Sequence, residues 1–82
     1  PGDNVLWANR ADAYRKKKEF NLAISDSDRS IKLNSKNKRN FYLRAQIFYD
    51  QKKYELAIPE FTAALKLDPK YDEAYFFRGR SY

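Results

Sequence analysis

The chain repeats itself every 34 residues, and that period restricts its fold more than any other feature. Sliding the sequence by 34 carries Trp7 onto Phe41 and then Tyr75, and Arg10 onto Arg44 and Arg78. Ala11 falls on Ala45 and Gly79, and Tyr14 on Phe48 and Tyr82. Further along, Phe20 meets Tyr54, Leu22-Ala23-Ile24 meets Leu56-Ala57-Ile58, Ile31 meets Leu65, and Lys32-Leu33 meets Lys66-Leu67. Residues 4–37 and 38–71 share nine identities, where ordinary residue usage gives roughly two. A repeat of this length marks stacked supersecondary units, each unable to bury its apolar face alone.

Within a unit the apolar spacing is helical. Trp7, Arg10, Ala11 and Tyr14 follow i, i+3, i+4, i+7 and share one face. Leu22, Ala23, Ser27, Ser30 and Ile31 do so more weakly, and Lys16–Glu19 between the two sets lack an apolar stripe and read as a turn. Each unit is therefore two short helices and a tight connection. The spacing predicts helices over 4–17, 21–34, 38–51, 55–68 and 72–82, with Asp3, Asn37 and Tyr71-Asp72 where N-caps belong. Asp68-Pro69 marks the turn between units. Pro59 falls inside the fourth helix, where proline costs about 3 kcal/mol beyond the first turn. A kink there, or a helix that starts later than its counterpart in the first unit, is the expectation.

Composition narrows the chemistry. With 82 residues there is room for one domain and one modest core. There is no cysteine, hence no disulfide, thiol nucleophile or Cys-based metal site, and no histidine, the commonest general base and metal ligand. Ser25, Ser27, Ser30, Ser35 and Ser81 thus have no histidine to activate them, and Gly2 and Gly79 cannot make a phosphate loop. No enzymatic activity, cofactor or metal is expected. No apolar run approaches the length of a membrane span and no signal-peptide pattern opens the chain; a cytoplasmic location is the expectation. A start at Pro1-Gly2-Asp3 without methionine points to a piece of a longer chain.

The recurring residues resemble the tetratricopeptide repeat, a 34-residue helix–turn–helix unit carrying an aromatic, Leu-Gly, Tyr, then Ala, an aromatic and Pro. The second unit matches at Phe41, Arg44-Ala45, Phe48, Ala57, Phe61 and Pro69. The first matches at Trp7, Arg10-Ala11, Tyr14 and Ala23, and departs at Ser27 and Ser35. The third matches at Tyr75, Arg78-Gly79 and Tyr82. The resemblance implies an all-α, right-handed helical-hairpin solenoid of five helices, in which residues 1–82 form a single domain of two full units (4–37, 38–71) and the first helix of a third (72–82). Small residues at Ala11, Ala45, Gly79, Ala23 and Ala57 let paired helices approach closely. Arginine at 10, 44 and 78 stands where leucine is usual, either lying its aliphatic stem on apolar surface or forming an ion pair.

In such a solenoid the first helix of each unit lines the hollow side. The stripes that avoid the core contacts are Val5, Ala8, Asn9, Asp12, Arg15 and Lys16; then Arg39, Tyr42, Leu43, Gln46, Tyr49 and Asp50; then Glu73, Phe76, Phe77 and Arg80. From these, Asn9, Arg15, Arg39, Tyr42, Gln46, Tyr49, Phe76 and Arg80 are the candidate binding residues. Their mixture of aromatics and cations fits a protein or peptide segment with acidic and apolar side chains, since arginine grips carboxylates through two nitrogens and aromatics serve as anchors. The expected function is thus a non-catalytic protein–protein interaction module, an adaptor or scaffold.

Leu6-Trp7-Ala8-Asn9-Arg10-Ala11 further resembles the middle repeat of co-chaperone tetratricopeptide domains that clamp the acidic C-terminal tails of heat-shock chaperones. That resemblance implies tail contacts from Asn9 and Arg39, whereas Leu43 departs from the basic residue required there. The net charge is +6, drawn from the first two units, with Arg15-Lys16-Lys17-Lys18 and Lys36-Asn37-Lys38-Arg39 holding much of it. Such runs steer acidic proteins, RNA or anionic membranes, or simply solvate a turn; RNA binding is the alternative function. The last helix, with Tyr75, Gly79 and Tyr82 on one face, is expected to self-associate weakly.

Overall fold

A computed structural model describes residues 4–82. Every regular element among them is a helix: α1 (Asn4–Lys16), α2 (Phe20–Leu33), α3 (Lys38–Asp50), α4 (Tyr54–Leu67) and α5 (Asp72–Ser81). All lie within a residue or two of the ranges expected from the periodicity, the second helix of each unit starting one residue earlier. Asn37 caps α3 as expected, its side chain accepting from the Arg39 amide at 3.0 Å. Tyr71 precedes α5 without a side-chain cap bond, and Asp3 lies outside the described residues.

The helices pair as two antiparallel hairpins, α1 on α2 and α3 on α4, with α5 laid against α4 and α3 reaching back onto both helices of the first hairpin. The close approaches are made by alanine. Ala8, Ala11 and Ala23 in the first hairpin and Ala45, Ala57 and Ala64 in the second are all fully buried, so backbones meet where a larger side chain would hold them apart. Two apolar clusters result. One is Ala8, Ala11 and Ala23 closed by Leu43 and Ile47 of α3. The other is Ala45, Ala57, Phe61, Ala64 and Leu65 closed by Ala74 of α5. The first helix of each unit thereby completes the core of the unit before it. Burying Leu43 and Ile47 contributes about 1.5–3 kcal/mol each to the joint between hairpins.

Pro59 does not delay its helix. α4 begins at Tyr54, the equivalent of Phe20, and runs for 14 residues as α2 does. The proline and Glu55, whose carbonyl loses its helical donor, are both exposed, so water can serve the freed oxygen.

Two of the three repeat arginines pair with carboxylates. Arg10 grips Asp26 through two nitrogens, at 2.6 and 3.0 Å. Arg44 makes the same bond one unit on, Nε to Glu60 Oε1 at 2.8 Å, and also reaches back to Asp28 at 2.9 Å, tying α3 to both second helices. Arg78 repeats the backward reach to Thr62 Oγ1 at 3.3 Å. Of the two readings of these positions, ion pairing is the one Arg10 and Arg44 adopt, whereas Arg78 bonds a hydroxyl. Trp7, half-buried, has the guanidiniums of Arg10 and Arg29 at 5.0 and 4.8 Å from its ring. Its equivalent Tyr75 is 45% exposed, because among the described residues no second helix lies over α5; a methyl group added at Gly79 would touch nothing within 4 Å.

The first hairpin is the more polar. Ser27 and Ser30 occupy the places of Phe61 and Ala64, and both are fully buried. Ser30 Oγ donates to the Ser27 carbonyl at 2.8 Å, while Ser27 Oγ has no partner among the described residues. Beside them the buried amide of Asn40 donates to Asn4 Oδ1 and to the Ser30 and Asn34 carbonyls at 3.1 to 3.3 Å.

Candidate functional site

The first helices α1, α3 and α5 carry the predicted binding residues, and they group them into two neighbourhoods. Between α1 and α3 lies a cleft of about 220 Å³ lined by Asp12, Arg15, Arg39, Tyr42, Leu43 and Gln46. Between α3 and α5, Tyr49, Phe76 and Arg80 meet: Arg80 Nε donates to the Tyr49 hydroxyl at 3.0 Å and its guanidinium lies 5.5 Å from the Phe76 ring. Aromatic contacts join the two. Phe77 is 5.3 Å from Tyr49, 5.1 Å from Phe76 and 6.4 Å from Tyr42. Asn9 is exposed on α1 and outside the cleft lining.

The cations of this face are not equivalent. Arg15 is held between Asp12, at 3.0 Å, and Asp50, at 2.7 Å. Burial works against its charge, but the hydrogen bonds to both carboxylates outweigh it, and its pKa stands above the usual guanidinium value. It is a neutralised group that joins α1 to α3. Arg39 differs. It is exposed, and its guanidinium has no hydrogen bond or ion pair among the described residues. Only its backbone amide is engaged, by the Asn37 cap.

Tyr42 forms the floor between these groups. Its hydroxyl accepts from Gln46 Nε2 at 2.8 Å, and its ring packs 4.9 Å from Tyr71 and 5.8 Å from Phe61. Burial raises its pKa, with the Gln46 bond opposing. Tyr71 is pushed up to about 12, mainly by burial and then by Tyr42 and Glu73, with Arg39 pulling the other way. Gln46 and Leu43 are 7% and 5% exposed; both turn toward the core more than a surface stripe would, as does the fully buried Ala8.

Sequence reasoning placed Tyr71 only at a helix start, and it gave Asp12 and Asp50 no role. Asp12 had a local signal, standing three and four residues before Arg15 and Lys16. Asp50 had none, since its partner is 35 positions away. Among the described residues no three acidic side chains gather as a metal site, and no helix is long and apolar enough to cross a membrane.

Two family models match, one described as TPR repeat over residues 45–82 and one described as tetratricopeptide repeat over residues 5–37. The chain belongs to the tetratricopeptide-repeat family. Solved structures agree with this tetratricopeptide assignment. The first TPR domain of Spaghetti (RPAP3), bound to the HSP90 peptide SRMEEVD, superposes with a TM-score of 0.93 at 30% identity, over 99% of this chain and 64% of that one. The Arabidopsis OM64 TPR domain gives 0.90 at 28% identity, over 95% and 64%. The second TPR domain of Spaghetti, also bound to SRMEEVD, gives 0.91 at 27%, over 95% and 72%. The chain spans about two thirds of the length of these relatives. No curated protein sequence matches it.

Proposed function

We propose that this tetratricopeptide chain is a non-catalytic protein-interaction module that takes an acidic peptide segment along the face of α1, α3 and α5. The observation that carries the reading is Arg39, an unpaired guanidinium at the rim of a cleft floored by Tyr42, on a face whose other arginines are already bonded to partners within the chain. An unpaired arginine beside an aromatic floor suits a carboxylate followed by an apolar side chain. Two of the similar domains hold an acidic HSP90 peptide, which supports a co-chaperone-like role. Asn9, exposed and without a side-chain bond among the described residues, is the second polar contact for such a tail. Leu43, buried at 5% exposure, offers no second cation, so the grip rests on fewer charges than a full clamp.

The test is a fluorescence-polarisation titration with labelled SRMEEVD. Saturable binding is expected, weakened about tenfold by Arg39→Ala, the loss of one charge-assisted contact. Equal affinity for a peptide with every carboxylate replaced by an amide would overturn the reading.

A further inference from the structure

Both hairpins close on a turn whose left-handed residue is a lysine. Lys18 and Lys52 each have φ 63°. The amide of Glu19 donates to the Tyr14 carbonyl, and that of Lys53 to the Phe48 carbonyl, at 2.9 Å in both, the bonding of a Schellman motif. Glycine or asparagine is the residue this conformation favours, and strain retained at an equivalent place in two units is a reason to look for function there. Lys17 and Lys53 flank these positions, and all four side chains are exposed. The two turns stand side by side, because Asp50 at the end of α3 bonds Arg15 and shares a cavity of about 340 Å³ with Lys18 and Phe20.

An exposed leucine follows each turn four residues on: Leu22 at 48% and Leu56 at 50%. Both lie in the first turn of a helix, where Cα–Cβ bonds tilt toward the N-terminus, so both lean back to the lysine edge. Glu19 and Glu55 are the carboxylates nearby without an ion pair among the described residues; two against four lysines, they leave the edge positive.

We propose that this edge docks on a bilayer surface rich in anionic headgroups, with Lys17, Lys18, Lys52 and Lys53 at the level of the phosphates and Leu22 and Leu56 entering the interface. The leucines decide the kind of polyanion. A nucleic-acid backbone engages lysines but gives an aliphatic side chain nothing to enter, whereas the headgroup–acyl boundary takes up both. Arg15 borders both this edge and the cleft of the peptide-binding face, but none of the four lysines or two leucines lines that cleft, and the proposal does not depend on peptide binding.

The experiment is co-sedimentation of the chain with phosphatidylcholine vesicles, neutral or containing about one third phosphatidylserine, where each surface lysine is worth roughly fivefold in partitioning. Lys18→Gly with Lys52→Gly removes two charges while installing the residue the turn favours. It should keep its helical circular dichroism and partition about thirtyfold more weakly onto the anionic vesicles. Leu22→Ser with Leu56→Ser keeps every charge and is expected to lose about tenfold. Equal partitioning onto neutral and anionic vesicles would overturn the proposal, as would a glycine pair that binds like the parent. An oligouridylate that binds more tightly than the vesicles and ignores the leucine pair would assign the edge to nucleic acid instead.

Discussion

Replacing Phe61 by alanine tests whether the two apolar clusters, linked through α3, unfold as one cooperative unit. Phe61 is the largest fully buried side chain of the described residues, and its ring lies 5.8 Å from Tyr42 and 6.3 Å from Phe77, both on the proposed binding face. Burying a phenylalanine removes about 200 Å² from water, and at about 25 cal/mol per Å² this gives ~5 kcal/mol. Alanine retains part of that and leaves a cavity, which puts the loss at about 3–5 kcal/mol. At about 0.05–0.15 kcal/mol per residue the whole chain holds only some 4–12 kcal/mol, so the change removes a large fraction. With a urea slope of about 1 kcal/mol per molar, the midpoint should fall by about 3 M or the variant should be unfolded from the start. Trp7 fluorescence, which watches the first hairpin, and far-ultraviolet circular dichroism, which watches all five helices, should shift together, because Leu43 and Ile47 carry α3 into the first cluster. A fall of less than about 1 M, on the same slope, would refute the burial argument. A Trp7 transition left in place while part of the helical signal is lost would refute the coupling between the two clusters.

Two further outcomes are expected. Ser27→Ala should raise stability by about 1 kcal/mol, since a buried hydroxyl without a partner bears its desolvation cost unrelieved; a lower thermal midpoint would mean the oxygen is bonded after all. For Tyr71 the neutral form is the one the fold favours, so its contribution is complete below the ordinary phenol pKa and declines as pH rises from there toward about 12. Comparing alkaline unfolding of the parent with Tyr71→Phe isolates it: the parent should lose stability relative to the variant across that window, and parallel curves would remove the assignment.

The fold was legible because its information is local and written more than twice. Helix spacing, the Asn37 cap and the alanines at the crossings are each visible within a few residues, and the 34-residue period fixes which segments are equivalent. What the sequence concealed depends on pairs far apart along the chain. Arg15 and Asp50 are 35 positions apart, and Arg44 meets Asp28 and Glu60 at 16 positions in either direction. No periodicity announces that Arg15 is neutralised or that Arg44 ties two units together. Of the two outcomes expected at Pro59, a kink or a later helix start, the later start does not occur. Propensity argued for a boundary, but the packing of Ala57, Phe61 and Ala64 holds the helix through it, and the exposed side absorbs the missing bond.

That same long-range pairing is what gives the proposed binding face a direction. The seven arginines look alike in sequence, and a count of basic residues treats them as one diffuse charge. In the folded chain six of them have partners: Arg10, Arg15 and Arg44 on carboxylates, Arg78 and Arg80 on hydroxyls, and Arg29 on Trp7. A guanidinium with two carboxylates attached, like Arg15, offers an incoming anion little, because each new contact competes with one already made at closer range and lower dielectric. On the proposed binding face only Arg39 has its donors unspent among the described residues; Arg29, whose donors are likewise free of hydrogen bonds, lies on α2 against Trp7. On the proposed function, attraction of an acidic segment would be set by the whole molecule's charge, but its register on the face by one side chain, with Tyr42 and the Phe76–Phe77 pair deciding what could follow it.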